Sequence, residues 1–179
     1  IVSFVMKKPL YITTTLPYVN SDPHIGFAME IIRADVVARV KELEGHEVFF
    51  NAGTDEHGQK VQQSALTAGK SAQEFVDEVS DRFKQLLKEL NCSHDDFIRT
   101  TEERHKKSVA ELWKMLQDND QIYLGFYEGW YSVRDEAFYA ESELVNGKAP
   151  TGAEVEWVKE ESYFFRLSSW TEKLLTFYK

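Results

Sequence analysis

Pro23-His24-Ile25-Gly26-Phe27 places an imidazole and a bare backbone two residues apart, at the head of a long stretch of periodic apolar residues. With Asp22 as N-cap and Pro23 as the first helical residue, His24 falls in the first turn of a helix. Free N–H groups and the dipole attract anions there, and the imidazole can donate to a phosphate oxygen. Gly26 has no side chain to keep a flat ring off the turn. A nucleoside triphosphate fits both features. A histidine that caps or packs, beside a glycine that lets the helix approach a sheet, fits them too. A second group is Thr54-Asp55-Glu56-His57-Gly58. Asp55 can neutralise a substrate ammonium or cap a turn. Asp55, Glu56 and His57 can also be read as metal ligands, although three ligands packed this tightly rarely face one ion. Between the two groups, Thr15, Leu16, Pro17 and Tyr18 form a loop of the kind that lines pockets. Leu16 offers an apolar wall and Tyr18 an amphipathic one. Ordinary loop packing is the alternative.

The elements that must hold these residues follow from periodicity. Residues 10–14 read as a short buried strand. Ile25, Met29, Ile32, Val36, Val40 and Leu43 recur every three or four residues, which predicts an amphipathic helix ended by Gly45. Val48-Phe49-Phe50 reads as a second strand, completing a βαβ unit with a parallel sheet. A short helix from Gln59 ends at Gly69. Ser71 and Glu74 have capping-box spacing and open a helix with Phe75, Val79, Phe83, Leu86 and Leu90 on one face. Phe97 to Thr100 predicts a third strand. Thr100 and Glu103 then cap a helix carrying Val109, Leu112, Trp113 and Leu116.

From Gln121 the texture changes. Ile122 to Val133, Glu154 to Lys159 and Tyr163 to Leu167 read as antiparallel strands, with Asn146-Gly147 as a hairpin turn. Ser169 and Glu172 cap a last helix, Trp170 to Tyr178. The predicted organisation is an α/β, Rossmann-like parallel sheet with flanking helices over 6–120, a small β-rich insertion over 121–167, and a returning helix over 168–179. The aromatic set Tyr123, Phe126, Tyr127, Trp130, Tyr131, Phe138 and Tyr139 can stack on bases, but at strand spacing it reads first as the insertion's core. Arg99, Arg104, His105, Lys106 and Lys107 form a basic cluster, read first as a solvated helix face.

Composition sets limits. The chain has 179 residues, 42% hydrophobic and 13% aromatic, with 21 basic and 30 acidic residues and a net charge of −9. That content excludes a disordered tail, and the acidity disfavours a dedicated nucleic-acid-binding module. No apolar run is long enough to span a membrane. One cysteine, Cys92, excludes an internal disulfide framework and suits a reducing, cytoplasmic setting. Met6-Lys7-Lys8-Pro9 reads as a native start, with residues 1–5 as an upstream extension.

Together these residues resemble the methionyl-tRNA synthetase family of class I aminoacyl-tRNA synthetases. The resemblance runs through residues 15–20, the His24 to Phe27 signature, Gly53 to Lys60, Asp96 to Lys107, Tyr127 to Tyr131 and Tyr163 to Leu167. It implies activation of methionine by ATP with Mg²⁺, then transfer of the methionyl group to tRNA(Met). His24 looks like the first signature histidine, stabilising phosphate charge, and Gly26 like the glycine under the adenine. ATP would lie along His24, Ile25, Gly26 and Phe27. Thr15, Leu16 and Tyr18 look like part of the methionine pocket, and Asp55 like the carboxylate that pairs with the α-ammonium.

Three departures qualify the resemblance. Phe27 stands where a second signature histidine is usual, removing a phosphate donor. Ser132-Val133-Arg134-Asp135 and Ala149-Pro150-Thr151-Gly152 stand where many relatives carry zinc-binding cysteines, so no zinc is expected, and aromatic packing is expected to hold the insertion. The lysine-rich loop that gathers the ATP phosphates, the second half of the nucleotide-binding fold and the anticodon-binding helices do not occur in these residues. The 179-residue piece is therefore expected to be inactive alone, and to self-associate through an apolar face at Leu174, Leu175 and Phe177. Two other readings are an adenylating enzyme of the same superfamily that uses no tRNA, and a docking module that binds neither methionine nor ATP.

Overall fold

The computed structural model describes residues 9–179. The expected start at Met6 and extension over residues 1–5 lie outside them. The chain divides into two compact units, one up to Val109 and one from Ala110 to Lys179.

In the first unit, β1 (Leu10–Thr13), β2 (Val48–Thr54) and β3 (Asp96–Arg99) form a sheet in the order β1-β2-β3, with both pairings parallel. Parallel neighbours need crossovers. The first is α1 (Ile25–Leu43), and the second is α2 (Gln59–Thr67) with α3 (Ala72–Glu89). Phe27 and Ile31 of α1, Phe50 and Ala52 of β2, and Val76, Val79, Phe83 and Leu87 of α3 make one core. The expected Rossmann-like parallel sheet with flanking helices is therefore present. The Ser71 capping box is also present, its hydroxyl accepting from the Glu74 N–H while the Glu74 carboxylate accepts from the Ser71 N–H.

Helix α1 departs from expectation. The predicted inner face, Ile25, Met29, Ile32, Val36, Val40 and Leu43, is 43–89% exposed. The buried residues are Phe27, Ile31, Asp35 and Ala38. The helix is apolar on more than one side, so spacing alone cannot choose the stripe that meets the sheet. Asp35 is held on the buried side by the Ser93 N–H and hydroxyl at 2.6 and 2.7 Å and by Arg39 Nε at 2.7 Å.

The helix also begins later than expected. His24, not Asp22, is its N-cap, and Pro23 precedes it. Asp22 pairs with Arg82 instead. Strand β2 continues through Gly53 and Thr54, which were expected in a turn. Thr100 does not cap α4 (Glu103–Asp118); its hydroxyl accepts the Glu56 N–H at 2.8 Å. No α4 residue is buried.

In the second unit, β4 (Ile122–Ser132) pairs antiparallel with β5 (Ala137–Tyr139) and with β6 (Glu156–Phe165). The two strands expected over 154–167 are one continuous strand, and β5 was too short to read. Asn146-Gly147 makes the expected turn, both residues at positive φ, inside a Val145–Lys148 bridge. Helix α5 (Thr171–Phe177) starts without a side-chain cap, and the Ser169 hydroxyl donates back to the Arg166 carbonyl at 2.7 Å. The aromatic residues pack across strands: Tyr127 edge-on to Phe138 at 4.3 Å, Tyr131 tilted against Phe138 at 4.8 Å, and Trp130 edge-on to Trp157 at 5.4 Å. Trp113 of α4 meets Tyr163 at 5.3 Å, so the end of α4 belongs with this unit.

Candidate functional site

Ligands of parallel α/β sheets lie beyond the carboxyl ends of the strands. In the first unit that end is built by the β1–α1 loop, the start of α1 and the end of β2. The Asp55 N–H donates to the Pro17 carbonyl at 2.9 Å, and the Val19 N–H donates to the Asp55 carbonyl at 3.2 Å. Tyr18 and Asp55 thus form a parallel bridge just past the two strands. Gly53 fits this junction because it has no side chain. A Cβ there would lie 2.2 Å from the Ile98 carbonyl oxygen and 2.9 Å from Leu16.

His24 closes the other side. Its Nδ1 accepts the Gly26 N–H at 3.0 Å, satisfying one of the free donors of the first turn. The neutral ring therefore carries its proton on Nε2, as a hydrogen-bond donor. Gly26 suits this ring position, since a Cβ would sit 2.8 Å from His24 Cε1 and 2.9 Å from Nδ1 and the ring would have to shift. Capping and ligand contact are therefore compatible roles for His24. Pro17, Tyr18, Asp22 and His24 line a cleft of about 260 Å³. Phe27 and Phe83 also line it, edge-on to each other at 5.0 Å. Phe27 itself is 5% exposed and packs into the core.

The remaining expected residues are placed as follows. Ile25 is exposed on the outer side of α1. The Thr15 N–H and hydroxyl both donate to the Glu30 carboxylate, at 2.7 and 2.8–2.9 Å, tying the loop to α1. Asp55 Oδ1 accepts the His57 N–H at 3.3 Å, as a turn cap does. Thus Tyr18 and His24 share the cleft, Asp55 is bridged to Tyr18, and Leu16 lies against Gly53. Glu30 was missed, because nothing in a spacing of fifteen residues signals its contact with Thr15.

Glu56 was also missed in its actual role. Its side chain is fully buried and takes Arg99 in two hydrogen bonds, from Nε at 2.6 Å and Nη2 at 2.9 Å. Thr54 Oγ1 donates to it at 2.9 Å, and Thr101 Oγ1 donates as well. Burial opposes the charge of Glu56, but hydrogen bonds from Arg99, Thr101 and Thr54 outweigh it and hold the carboxyl below its ordinary value. Arg99 also reaches Asp77 on α3. The basic cluster is likewise largely engaged. Arg104 is gripped by Asp96 and Glu102, and Lys106 lies 3.1 Å from Glu103.

In the second unit, the segments read as lacking zinc ligands are joined by hydrogen bonds. Asp135 accepts from the Tyr139 hydroxyl at 3.0 Å, from Thr151 Oγ1 and from Arg134 Nε at 3.2 Å. Arg134 Nη2 donates to the Thr151 carbonyl at 2.9 Å. Ser132, Ala149 and Ala153 are buried beside them. This donor set, one carboxylate already taken up by hydroxyls and a guanidinium, does not fit a zinc ion.

A family model described as tRNA synthetases class I (M) matches residues 10–156. A methionine–tRNA ligase of Rickettsia bellii (strain RML369-C) is 59% identical over 175 residues, which cover 97% of this chain and 34% of the relative. That of Listeria monocytogenes serovar 1/2a (strain ATCC BAA-679 / EGD-e) is 48% identical over 183 residues, covering 96% of this chain and 28% of the relative. A solved Mycobacterium tuberculosis methionyl-tRNA synthetase in complex with methionyl-adenylate matches with a TM-score of 0.87 at 47% identity, over 96% of this chain and 35% of that one. The chain spans about a third of the length of the curated relatives it matches.

Proposed function

The chain belongs to the class I tRNA synthetases (M), and from that premise we propose that it supplies the ATP and methionine side of a methionine–tRNA ligase. The methionine carboxylate attacks the α-phosphorus of ATP, the bond to the β-phosphate oxygen breaks, and pyrophosphate leaves with that electron pair. A ribose hydroxyl at the 3′ end of tRNA(Met) then attacks the methionyl carbonyl, the acyl–phosphate bond breaks, and AMP leaves. No protein nucleophile is needed; positioning and charge stabilisation carry the step.

The observation that carries the proposal is the arrangement at the strand ends. His24 Nδ1 is committed to the Gly26 N–H, so Nε2–H is the ring's remaining donor, at the amino end of α1. An α-phosphate held there meets that donor and the helix dipole together. Asp55, bridged to Tyr18, would hold the α-ammonium, and Leu16 with Tyr18 would wall the thioether chain. Thr15 acts through Glu30 in shaping the loop. Gly26 leaves room for the adenine, and Ile25 and Phe27 flank that turn. Phe27 supplies packing rather than a phosphate donor, so neutralisation of the phosphates rests on His24, backbone N–H groups and the Mg²⁺ that accompanies ATP.

We assign the first unit to the first half of the nucleotide-binding domain, whose expected end at residue 120 falls instead near Val109, 121–167 to the insertion that the end of α4 leads into, and 168–179 to the helix returning from it. The chain spans about a third of its relatives' length, so the whole activity is proposed for a full-length polypeptide of their size. A single cysteine suits a cytoplasmic enzyme, and no helix among the described residues is long and apolar enough to cross a membrane. The test is methionine-dependent ATP–pyrophosphate exchange by the full-length polypeptide. Exchange that requires methionine and is abolished by Asp55→Ala supports the assignment; exchange indifferent to methionine overturns it.

A further inference from the structure

We propose that Glu56 and Arg99 are positioning residues that aim Asp55 at the amino group of the substrate. The inference rests on the assignment of Asp55 to that amine. Asp55 is pinned on one side by its two backbone hydrogen bonds to the β1–α1 loop. On the other side its carboxylate accepts the His57 N–H, and the next residue, Glu56, is buried where Asp55 is half-exposed. Glu56 turns inward as Asp55 turns outward. A roll of the peptide at Glu56 therefore re-aims the Asp55 carboxylate relative to Tyr18, to which Asp55 is bridged.

Glu56 is locked against such a roll. Arg99 grips its carboxylate with both arms of the guanidinium fork, a geometry that fixes direction as well as distance. Thr54 and Thr101 supply further donors, and the Glu56 N–H is held by Thr100. Arg99 is itself anchored on α3 through Asp77. The lock therefore ties the ends of β2 and β3 to a helix of the core.

A stability role alone does not explain this choice. A buried ion pair gains little over well-packed apolar residues of the same volume, whereas it does impose a definite geometry. Next to a residue whose angle decides ligand contact, geometry is the useful product.

The experiment uses the full-length polypeptide and reads methionine-dependent ATP–pyrophosphate exchange. Glu56→Gln is expected to raise KM for methionine by about 10- to 100-fold, the scale on which small misplacements act. KM for ATP is expected to stay within about twofold, as the ATP contacts are made elsewhere. The probe for the amine is 4-(methylsulfanyl)butanoate, which is methionine without its amino group. Its inhibition constant is expected to be unchanged in Glu56→Gln, because it offers nothing for Asp55 to hold. A loss that fell equally on this analogue, or on ATP, would mark a merely structural role and overturn the proposal.

Asp55→Asn separates the two levels of inference. If it leaves KM for methionine unchanged, the assignment of Asp55 fails and the positioning role falls with it. If it raises KM while a folded Glu56→Gln does not, only the positioning role is overturned. The Asp55→Asn/Glu56→Gln double variant is expected to be no worse than Asp55→Asn alone, and additive effects would show that Glu56 does not act through Asp55. Should Glu56→Gln fail to fold, Arg99→Lys keeps the buried charges balanced while losing the fork. It carries the same expectations and the same refuting outcomes.

Discussion

His24 and Gly26 depend on each other at the level of single atoms. The imidazole takes this capping position beside a residue without a Cβ, and the cap leaves Nε2 as the donor. Gly26→Ala separates stability from exchange. Alanine favours a helix by about 1 kcal/mol over glycine, and the displaced cap costs about as much, so stability should change little. The displaced ring should still lower pyrophosphate exchange by about tenfold or more. A thermal melt and an exchange assay on the same variant check both halves. His24→Asn keeps a capping side chain but has no donor reaching where Nε2 stands. Its exchange rate is expected to fall by about 10²–10³ with the melt little changed, as when one preorganised donor is removed from a transition state. Gly53 is a simpler case. Alanine there drives a Cβ to 2.2 Å from the Ile98 carbonyl oxygen, so Gly53→Ala should cost about 1–3 kcal/mol in urea unfolding.

Among the elements, α3 has the best-defined start. Ser71→Ala removes one half of the capping box and should cost about 1 kcal/mol, read by urea unfolding. The strand ends owe part of their order to carboxylates. Glu56 and Asp35 are opposed by burial but held below their ordinary values by their hydrogen-bond donors. Asp96 is held low mainly by Arg104, and Asp77 mainly by Arg99. Each is depressed in the folded state, so its contribution is complete above the ordinary values of 4.5 for Glu and 3.8 for Asp. It is lost as pH falls through the folded values below them. Melting temperature should therefore be flat from neutral pH down to about 5 and drop below about 4.5. Glu56→Gln should flatten part of that drop. In the second unit, Asp135 links the turn after β4 to Tyr139 and Thr151. Asp135→Asn should lower the melting temperature of the folded chain, while a chelator should leave it unchanged.

At the scale of the molecule, the order β1-β2-β3 has a consequence. Two right-handed crossovers running in the same direction place their helices on the same face of the sheet. The core is accordingly on that face, and Tyr11 and Phe49 stack at 5.8 Å on the other, 62% and 47% exposed. Strand β1 has one partner among the described residues, and the outer stripe of α1 is apolar and exposed. A doubly wound sheet reverses direction at its first strand, so both features match a surface that further strands and helices would cover. The 179-residue chain by itself should therefore show no methionine-dependent exchange. It should also associate with rising concentration in sedimentation, with α1, Leu175 and Phe177 as the exposed apolar surfaces.

Local rules were enough for much of this protein. The Ser71 box, the Asn146-Gly147 turn and the His24-Ile25-Gly26 signature depend on neighbours within a few residues, and the parallel sheet follows from the strand-helix-strand order, so they could be read from residue order and spacing. The side of α1 that meets the sheet could not, because two apolar stripes compete and only the position of Phe50 and Phe83 chooses between them. Nor could the Glu56–Arg99–Asp77 lock or the Thr15–Glu30 tie, whose partners lie far apart along the chain. A buried charge shows its role only when its counter-charge arrives in space, and that arrival is decided by the packing of β2, β3 and α3.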